Sequence, residues 1–168
     1  IEVNPNLIVS KDSKTIGVNF IIDEGPRVYI NNIDISGNTR TIDKVVRRQI
    51  NLSEGDAYNK FSIDLSKSKI KSLNYFSSVE IEEERVLDQD RINLNINVEE
   101  KNTGEVSLGA GYSSSTKASI TLGLKEQNFL GKGQKAKFQA NFADTQSTYD
   151  ISFEEPYYNN KNLSLRGD

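Results

Sequence analysis

The chain has 168 residues, with 21 Lys and Arg against 24 Asp and Glu, so its net charge is −3. This length accommodates one or two small domains, and so mild a charge lacks the basic face by which proteins bind nucleic acid, so we expect no nucleic-acid partner. Cys and His are both absent, which excludes disulfides, thiolate or imidazole metal sites and Ser-His-Asp triads.

The first 25 residues are predicted to form two strands. Apolar and polar residues alternate over residues 1–9 and again over residues 16–22, and a period of two indicates strands with one buried face. Residues 92–98 repeat the second pattern at a constant offset of 76 residues. We interpret residues 1–25 as the C-terminal hairpin of a preceding copy of the next domain. The alternative is coincidence, because any two amphipathic hairpins look alike.

Residues 26–101 are predicted to form one complete copy of that domain. A β-rich segment ends at the turn signal Gly37-Asn38. A helix is then predicted from an N-cap at Thr41 to Ile50, and a second one from about Asn59 to Leu73. Two alternating strands follow. The order β-α-α-β-β predicts an α+β domain with two helices on one face of a three-stranded sheet.

From Thr103 onward the period is two throughout. Four complete segments of about ten residues and the start of a fifth are apolar on one face and polar or small on the other, which fits transmembrane β-barrel strands. Aromatic residues at the strand ends suit an interfacial girdle: Tyr112, Phe129, Tyr157 and Tyr158. The alternative is a soluble sandwich or lipocalin-like barrel, whose apolar face points inward. Single bacterial barrels begin at about eight strands, so this sheet stops partway.

Several short motifs of the sequence closely resemble those of a known family. EGPRVYI (24–30), IDISGNTRT (33–41), VRR (46–48), EGD (54–56) and LNYF (73–76) resemble a polypeptide-transport-associated (POTRA) domain. EKNTG (100–104), GAGYS (109–113), NFLGKG (128–133) and EPY (155–157) resemble its link to a barrel and the opening barrel strands. In this order they are similar to the outer-membrane assembly factors of Gram-negative bacteria.

The resemblance implies a fold class and a division of the chain. The fold is an α+β POTRA domain (β-α-α-β-β) followed by the antiparallel β-meander strands of a truncated transmembrane β-barrel. Residues 1–25 are the C-terminal hairpin of a preceding POTRA domain, residues 26–101 are the complete, last POTRA domain, and residues 102–168 are the first four to five barrel strands. Residues 1–101 are expected in the periplasm and the barrel strands in the outer membrane.

The same resemblance implies a function. Members of this family fold and insert other β-barrel proteins into the outer membrane without ATP or a cofactor. The expected partners are unfolded outer-membrane β-barrel clients, accessory assembly lipoproteins and outer-membrane lipid. Two other functions stay open: a two-partner secretion or related POTRA-barrel transporter, and a soluble ligand-binding β-barrel.

Client strands are expected to pair with two strand edges. The resemblance places one at the barrel seam, carried by Val106, Leu108, Gly109 and Gly111. These glycines weaken the strand, although they could simply make room inside the barrel. The other edge is the strand with Val79 and Ile81. Its glutamates could instead discourage pairing, as edge charges do.

A second predicted surface lies at the end of the first helix and the turn that follows it. The resemblance implies that an accessory lipoprotein docks there, on Arg47, Arg48 and Glu54. The alternative is solvated helix-end charge.

Catalysis is not expected. Adjacent carboxylates such as Glu82-Glu83-Glu84 point to opposite faces of a strand. Gly109-Ala110-Gly111 lies in an alternating strand and lacks the third glycine of a dinucleotide-binding turn. We therefore predict no catalytic, cofactor-binding or metal-binding residues.

Overall fold

The computed structural model describes residues 2–10, 15–23, 27–87, 89–114 and 117–168. Its helices are α1 (Asp43–Arg47) and α2 (Lys60–Ser72). Its strands are β1 (Glu2–Ser10), β2 (Thr15–Asp23), β3 (Tyr29–Ser36), β4 (Phe76–Arg85), β5 (Arg91–Glu100), β6 (Gly104–Ser113), β7 (Lys117–Phe129), β8 (Gln134–Ala143), β9 (Ser147–Glu155) and β10 (Leu165–Gly167). They form a two-stranded, a three-stranded and a five-stranded sheet.

The first sheet is the antiparallel hairpin of β1 and β2, which runs in continuous register from the pair Glu2 and Asp23 to the pair Ser10 and Thr15. Its two strands agree with the alternation in the sequence. Its origin in a preceding domain copy stays a prediction. Residues 24–26, which open the predicted POTRA motif, lie outside the described residues.

The three-stranded sheet has the order β3-β5-β4, with β3 parallel and β4 antiparallel to the central strand. Because side chains alternate along a strand, the four apolar residues of β5 point to one face and are all buried: Ile92, Leu94, Ile96 and Val98. Both helices pack on that face and contribute Val46 and Ile63 to the same core. Burying a side chain of this size stabilises a fold by roughly 1.5–3 kcal/mol. The predicted β-α-α-β-β domain is confirmed.

Helix α1 differs from its prediction at both ends. The N-cap residue is Ile42, which makes no side-chain cap hydrogen bond, so the predicted cap at Thr41 is wrong. The Thr41 side chain is buried instead. The predicted extension to Ile50 is also wrong, because Gln49 N–H bonds the Val46 carbonyl and Ile50 N–H bonds the Arg47 carbonyl. Such i→i−3 bonds form a tight turn that ends the helix.

Helix α2 begins and ends close to its prediction. The Asn59 side chain accepts a hydrogen bond from Ser62 N–H and caps the first turn. Beyond the last turn, Asn74 has a φ of 60°, a left-handed conformation that commonly ends helices. None of the helices in the described ranges is long and apolar enough to cross a bilayer.

The five-stranded sheet has the order β10-β9-β8-β7-β6, and every neighbouring pair is antiparallel. This confirms the predicted antiparallel meander. The turn between β7 and β8 has positive φ angles at Leu130, Gly131 and Gly133. A single 3-10 turn, Tyr158–Asn160, precedes β10.

Candidate functional site

The apolar face of the meander is continuous across four strands. Leu108 lies opposite Leu122 on β7, which lies opposite Ala140 on β8, which in turn lies opposite Tyr149 on β9. A second row runs parallel to it: Val106, Leu124, Phe138 and Ile151. On β6 the face is strongly exposed, since Val106 and Leu108 are 80% and 76% accessible. An apolar surface of this extent marks a membrane or protein contact.

Strand β6 lies at one edge of this sheet, and no strand among the described residues pairs with its outer side. Along such an edge the backbone N–H and C=O groups lack strand partners, which makes it a template for another strand. The predicted seam residues Val106, Leu108, Gly109 and Gly111 all lie on this strand. The structure therefore brings the four residues together at one open edge.

Among the glycines of β6, only Gly109 has room for a side-chain Cβ at an ordinary contact distance. A Cβ at Gly109 would stand 3.7 Å from the Thr121 Cβ, an ordinary contact, and one at Gly111 would stand 3.3 Å from the Ser119 Oγ. A Cβ at Gly123 on β7, in contrast, would collide with the Ser107 hydroxyl. A larger residue at position 123 would therefore require the Ser107 hydroxyl to move. At position 109 the main physical consequence of glycine is a weaker strand.

The two outer strands of the three-stranded sheet differ in how far their edges are covered. On β3, Ile30 N–H bonds the Asp56 carbonyl and Gly55 N–H bonds the Ile30 carbonyl, at 2.8 Å each. Arg47 Nη2 also donates to the Ile33 carbonyl. No described strand pairs with the outer edge of β4.

Strand β4 carries Val79 and Ile81 as predicted. Val79 is buried and Ile81 is partly buried against the domain core, so the backbone is the part of β4 that another strand could contact. Of the glutamates on β4, Glu83 bonds the Lys60 ammonium at 2.6 Å and the Tyr58 hydroxyl at 2.7 Å.

The predicted docking residues Arg47 and Glu54 lie together. Arg47 Nε bonds Asp43 Oδ1 at 2.9 Å, and Arg47 Nη1 lies 3.5 Å from Glu54 Oε1. The hydrogen bond that the Arg47 guanidinium donates to the Asp43 carboxylate raises the pKa of Arg47 above its ordinary value. All three side chains are exposed, so they form an accessible cluster with alternating charge.

Arg48 lies apart from that cluster. Its guanidinium carbon is 3.8 Å from the centroid of the Tyr157 ring, which belongs to the turn after β9. Burial lowers the pKa of this guanidinium, and its Nε is buried without a hydrogen-bond partner. The structure thus separates the three predicted docking residues into an exposed pair and one residue that contacts the meander.

The contact between the α+β domain and the meander was not predicted. The turn of residues 128–133 lies against the start of α1, where Ile42 N–H bonds the Gly131 carbonyl at 3.0 Å. Asn128 Nδ2 donates to Thr41 Oγ1 at 2.8 Å, and Asn128 Oδ1 accepts from Gly133 N–H. A Cβ at Gly131 would collide with the Arg40 carbonyl oxygen. The NFLGKG motif (128–133) could have indicated this contact, because two glycines in a short turn often permit close backbone approach.

Glu100 ties the end of β5 to the segment before α1. Its carboxylate accepts hydrogen bonds from Thr39 Oγ1, from Arg40 N and Nε, and from Thr41 N. The side chain is only 6% exposed. Burial alone raises the pKa of a carboxyl group, but the bonds from Thr41, Arg40 and Thr39 outweigh it and lower the pKa of Glu100 to about 2.

Within the described ranges, no three His, Cys, Asp or Glu side chains are grouped in a way that could hold a metal ion. The acidic groups at the junction are instead occupied by the hydrogen bonds given above for Glu100 and by those to Glu126, which accepts from the Thr103 hydroxyl and from Asn128 N–H. The arrangement consists of strand edges that no described strand covers and an exposed charged cluster at the end of α1.

Two family profiles match separate parts of the chain. Residues 28–101 match POTRA, described as the surface antigen variable number repeat. Residues 128–168 match the Omp85 superfamily domain. Together the two profiles match more than two thirds of the chain.

Curated relatives and a solved structure match nearly the whole chain. The outer membrane protein assembly factor BamA of Nitratidesulfovibrio vulgaris is 31% identical over 99% of this chain and 21% of that protein. BamA of Buchnera aphidicola subsp. Acyrthosiphon pisum is 34% identical over 98% of this chain and 28% of its own length. The crystal structure of BamA from Haemophilus ducreyi lacking POTRA domains 1–3 superimposes with a TM-score of 0.85 at 28% identity, over 98% of this chain and 31% of that one. The chain thus spans between 21% and 28% of the length of these curated relatives.

Proposed function

Because this chain belongs to the Omp85 superfamily, with a POTRA domain that leads into the first strands of the barrel domain as in BamA, we propose that it is part of an outer-membrane protein assembly factor. Its activity is to fold β-barrel proteins and insert them into the bacterial outer membrane. The POTRA domain lies in the periplasm, and the apolar face of the meander contacts outer-membrane lipid.

The observation that supports this proposal is the outer edge of β6, which no strand among the described residues covers, beside an exposed apolar face. In a bilayer, each backbone group without a hydrogen-bond partner costs several kcal/mol. The edge strand of an unfolded client also has backbone groups without hydrogen-bond partners. When the two edges pair, the backbone groups of both chains gain partners, as in strand addition to a sheet edge. The client strand then lies within the membrane.

The β4 edge of the POTRA domain offers a second place for strand addition. Its backbone lies at the edge of the sheet, while Val79 and Ile81 anchor the strand to the domain core. The β3 edge is less suitable because residues 55–58 and Arg47 already occupy part of its backbone. A client strand in the periplasm therefore pairs with β4.

Accessory assembly lipoproteins dock on Arg47 and Glu54. These side chains are exposed and of opposite charge, and matched charges across an interface set orientation and association rate. Arg48 does not contribute to this surface because its guanidinium packs on Tyr157. The proposed activity is non-enzymatic: it exchanges hydrogen-bond partners and breaks no covalent bond.

Photo-crosslinking in living cells tests client pairing. A photoreactive amino acid replaces Leu108 on β6 or its register partner Leu122 on β7, both of which are exposed on the same apolar face. Position 122 is the matched control, because β7 is paired with a strand on each side. We expect unfolded outer-membrane proteins to crosslink at position 108 and not at position 122.

Equal crosslinking at both positions would show that the apolar face, rather than the β6 edge, contacts clients. Crosslinks to one exported passenger protein instead of many barrel proteins would favour a two-partner secretion transporter. Docking is tested separately by the charge reversal Glu54→Lys, with Asp64→Lys on α2 as a control of similar exposure. Only the change at position 54 should weaken binding of a purified accessory lipoprotein.

A further inference from the structure

A cleft lies where the POTRA domain meets the adjacent end of the meander. It has a volume of about 360 Å³ and is lined by Arg40 and Lys101 from the domain and by Glu126 and Leu130 from the meander. Volumes of about 300–1,000 Å³ are typical of small-molecule sites. This junction cleft therefore has room for one small polar group.

The junction cleft begins where the apolar face of the meander ends. Glu126 follows Leu124 by two residues on β7, and side chains two positions apart on a strand point to the same face. In the same cross-strand row as Glu126 lie Ala136 and Phe153, and Phe129 packs edge-on against Phe153. In a membrane barrel, such a change from apolar to polar side chains beside aromatic rings marks the level of the lipid headgroups. The cleft therefore lies at that level.

Leu130 supplies an apolar wall that the fold itself does not cover. Its φ is 54°, a left-handed conformation that is an outlier for a bulky side chain, and its side chain is 69% exposed. Strained residues are retained where their position serves a function. At the level of the headgroups, the first methylenes of an acyl chain would cover this leucine.

Two basic residues on the opposite wall keep the capacity to bind an anion. The Lys101 ammonium donates to the Asn74 amide oxygen at 2.6 Å, so its only hydrogen-bond partner among the described residues is neutral and two of its three donors remain. Arg40 uses Nε to bind Glu100 and Nη2 to bind the Lys101 carbonyl. Its Nη1 donates to no described residue, and the side chain is 58% exposed.

Glu126 adds an acceptor on the meander side of the cleft. The hydrogen bonds from the Thr103 hydroxyl and from Asn128 N–H both end on its Oε1, so Oε2 keeps its capacity to accept a donor. The cleft thus offers donors on one wall and a carboxylate oxygen on the other. This pattern is complementary to a headgroup that carries a phosphate and a primary ammonium.

We propose that the junction cleft binds the headgroup of phosphatidylethanolamine. The phosphate accepts hydrogen bonds from Lys101 and Arg40, the ammonium donates to Glu126 Oε2, and an acyl chain lies on Leu130. Phosphatidylglycerol has no ammonium, and the quaternary ammonium of phosphatidylcholine has no N–H to donate. The inference rests on the proposed function because that function places the apolar face of the meander in lipid.

Native mass spectrometry of the full-length protein tests this inference. The protein is released from detergent micelles that contain an equimolar mixture of phosphatidylethanolamine, phosphatidylglycerol and phosphatidylcholine with identical acyl chains, and the bound lipids are counted by mass. Lys101→Gln removes the cation. Glu126→Gln keeps an oxygen that can accept the Thr103 and Asn128 bonds but removes the negative charge. Lys132→Gln, at an exposed position of the neighbouring turn outside the cleft, is the control.

We expect the parent protein to retain phosphatidylethanolamine roughly three- to tenfold more than either other lipid, as for partly exposed charged hydrogen bonds. Lys101→Gln should lower that retention by a similar factor. Glu126→Gln should abolish the preference over phosphatidylcholine, and Lys132→Gln should match the parent. Equal retention of the three lipids by the parent, or parent-like behaviour of either cleft variant, would overturn the proposal. Loss of all three lipids alike in Glu126→Gln would also overturn it, because the carboxylate would then support the fold.

The outcome for this cleft is separate from the outcome for the proposed function. No client is present in the lipid measurement, and the crosslinking test at β6 does not involve the cleft. Client crosslinks at position 108 without a lipid preference would overturn this inference alone. A parent protein that retains none of the three lipids would contradict both this inference and the proposed contact of the meander with lipid.

Discussion

The guanidinium carbon of Arg48 lies 3.8 Å from the centroid of the Tyr157 ring, although 109 positions separate the two residues in the chain. This contact joins the POTRA domain to the meander at the end of α1. Tyr157 also accepts a hydrogen bond from Gln49, so two consecutive residues of the POTRA domain bind one aromatic side chain. The adjacent residue Arg47 faces solvent with Glu54.

A double-mutant cycle on Arg48 and Tyr157 should show that the two side chains stabilise the fold through their mutual contact. We expect Arg48→Met and Tyr157→Leu each to destabilise the POTRA domain, with a coupling free energy of about 0.5–2 kcal/mol, as for partly desolvated cation–π pairs. Urea unfolding of the domain in the detergent-solubilised protein gives the four free energies of unfolding. Strictly additive effects would show that the two side chains are neighbours without interacting.

The stability of the POTRA domain should fall as the pH drops below 4.5. The ordinary pKa of Glu100 is 4.5, and in the folded chain it is about 2. A carboxyl group with a lower pKa in the folded state contributes stability above its unfolded pKa, which is lost as the pH falls toward the folded value. The shift corresponds to at most about 3 kcal/mol.

The variant Glu100→Gln isolates this contribution. It should lower the free energy of unfolding at pH 7 and flatten its pH dependence between pH 4.5 and 2. Glu80→Gln, at an exposed position on β4, is the control. The free energy of unfolding is measured by urea unfolding at several pH values in this window. The same pH dependence in the parent and the Glu100→Gln protein would contradict the assignment.

Two glycines of the POTRA domain should respond differently to alanine. Gly37 has a φ of 84°, and a Cβ there would collide with the Val98 carbonyl oxygen. Gly55 has a φ of 93° but nothing within 4 Å of an added Cβ. We expect Gly55→Ala to cost about 1 kcal/mol from backbone strain alone and Gly37→Ala to cost roughly 3 kcal/mol or more. Similar thermal midpoints for the two variants would argue against the close approach at Gly37.

Truncation of two apolar residues of α2 should change the stability of the domain by clearly different amounts. Ile70 has no exposed surface, whereas Phe61 is 75% exposed. Truncation of Ile70 to Ala leaves a cavity and should cost about 2–5 kcal/mol. Phe61→Ala should change the free energy of unfolding by less than about 0.5 kcal/mol. A large loss from Phe61→Ala in urea unfolding would mean that another part of the protein covers this side chain.

Much of the fold follows from local pattern. The alternation over residues 92–98 predicted the buried face of β5, and Asn59 and Asn74 marked the ends of α2 within a residue or two. The meander was equally predictable from the sequence, because a period of two defines both faces of each strand. Thr41 shows where this reasoning fails: it has the right chemistry for an N-cap, but Asn128, from a distant turn, binds its hydroxyl.

The pattern also could not distinguish Arg47 from Arg48. Both are basic residues at the end of a helix, and only their neighbours in space give them different environments. Tyr157 is a similar case, since its place at a strand end predicted an interfacial aromatic residue. In the structure its ring and hydroxyl contact the POTRA domain instead.

By itself, the sequence determined the period and therefore the type of each element, the apolar face of each strand, and the resemblance of its ordered motifs to an outer-membrane assembly factor. These properties depend on residues a few positions apart. Only the tertiary structure decided which arginine faces solvent and how the two sheets meet. Those features arise from contacts between residues about 60 to 110 positions apart, such as Arg40 with Glu100 and Gln49 with Tyr157, and no local pattern encodes such pairings.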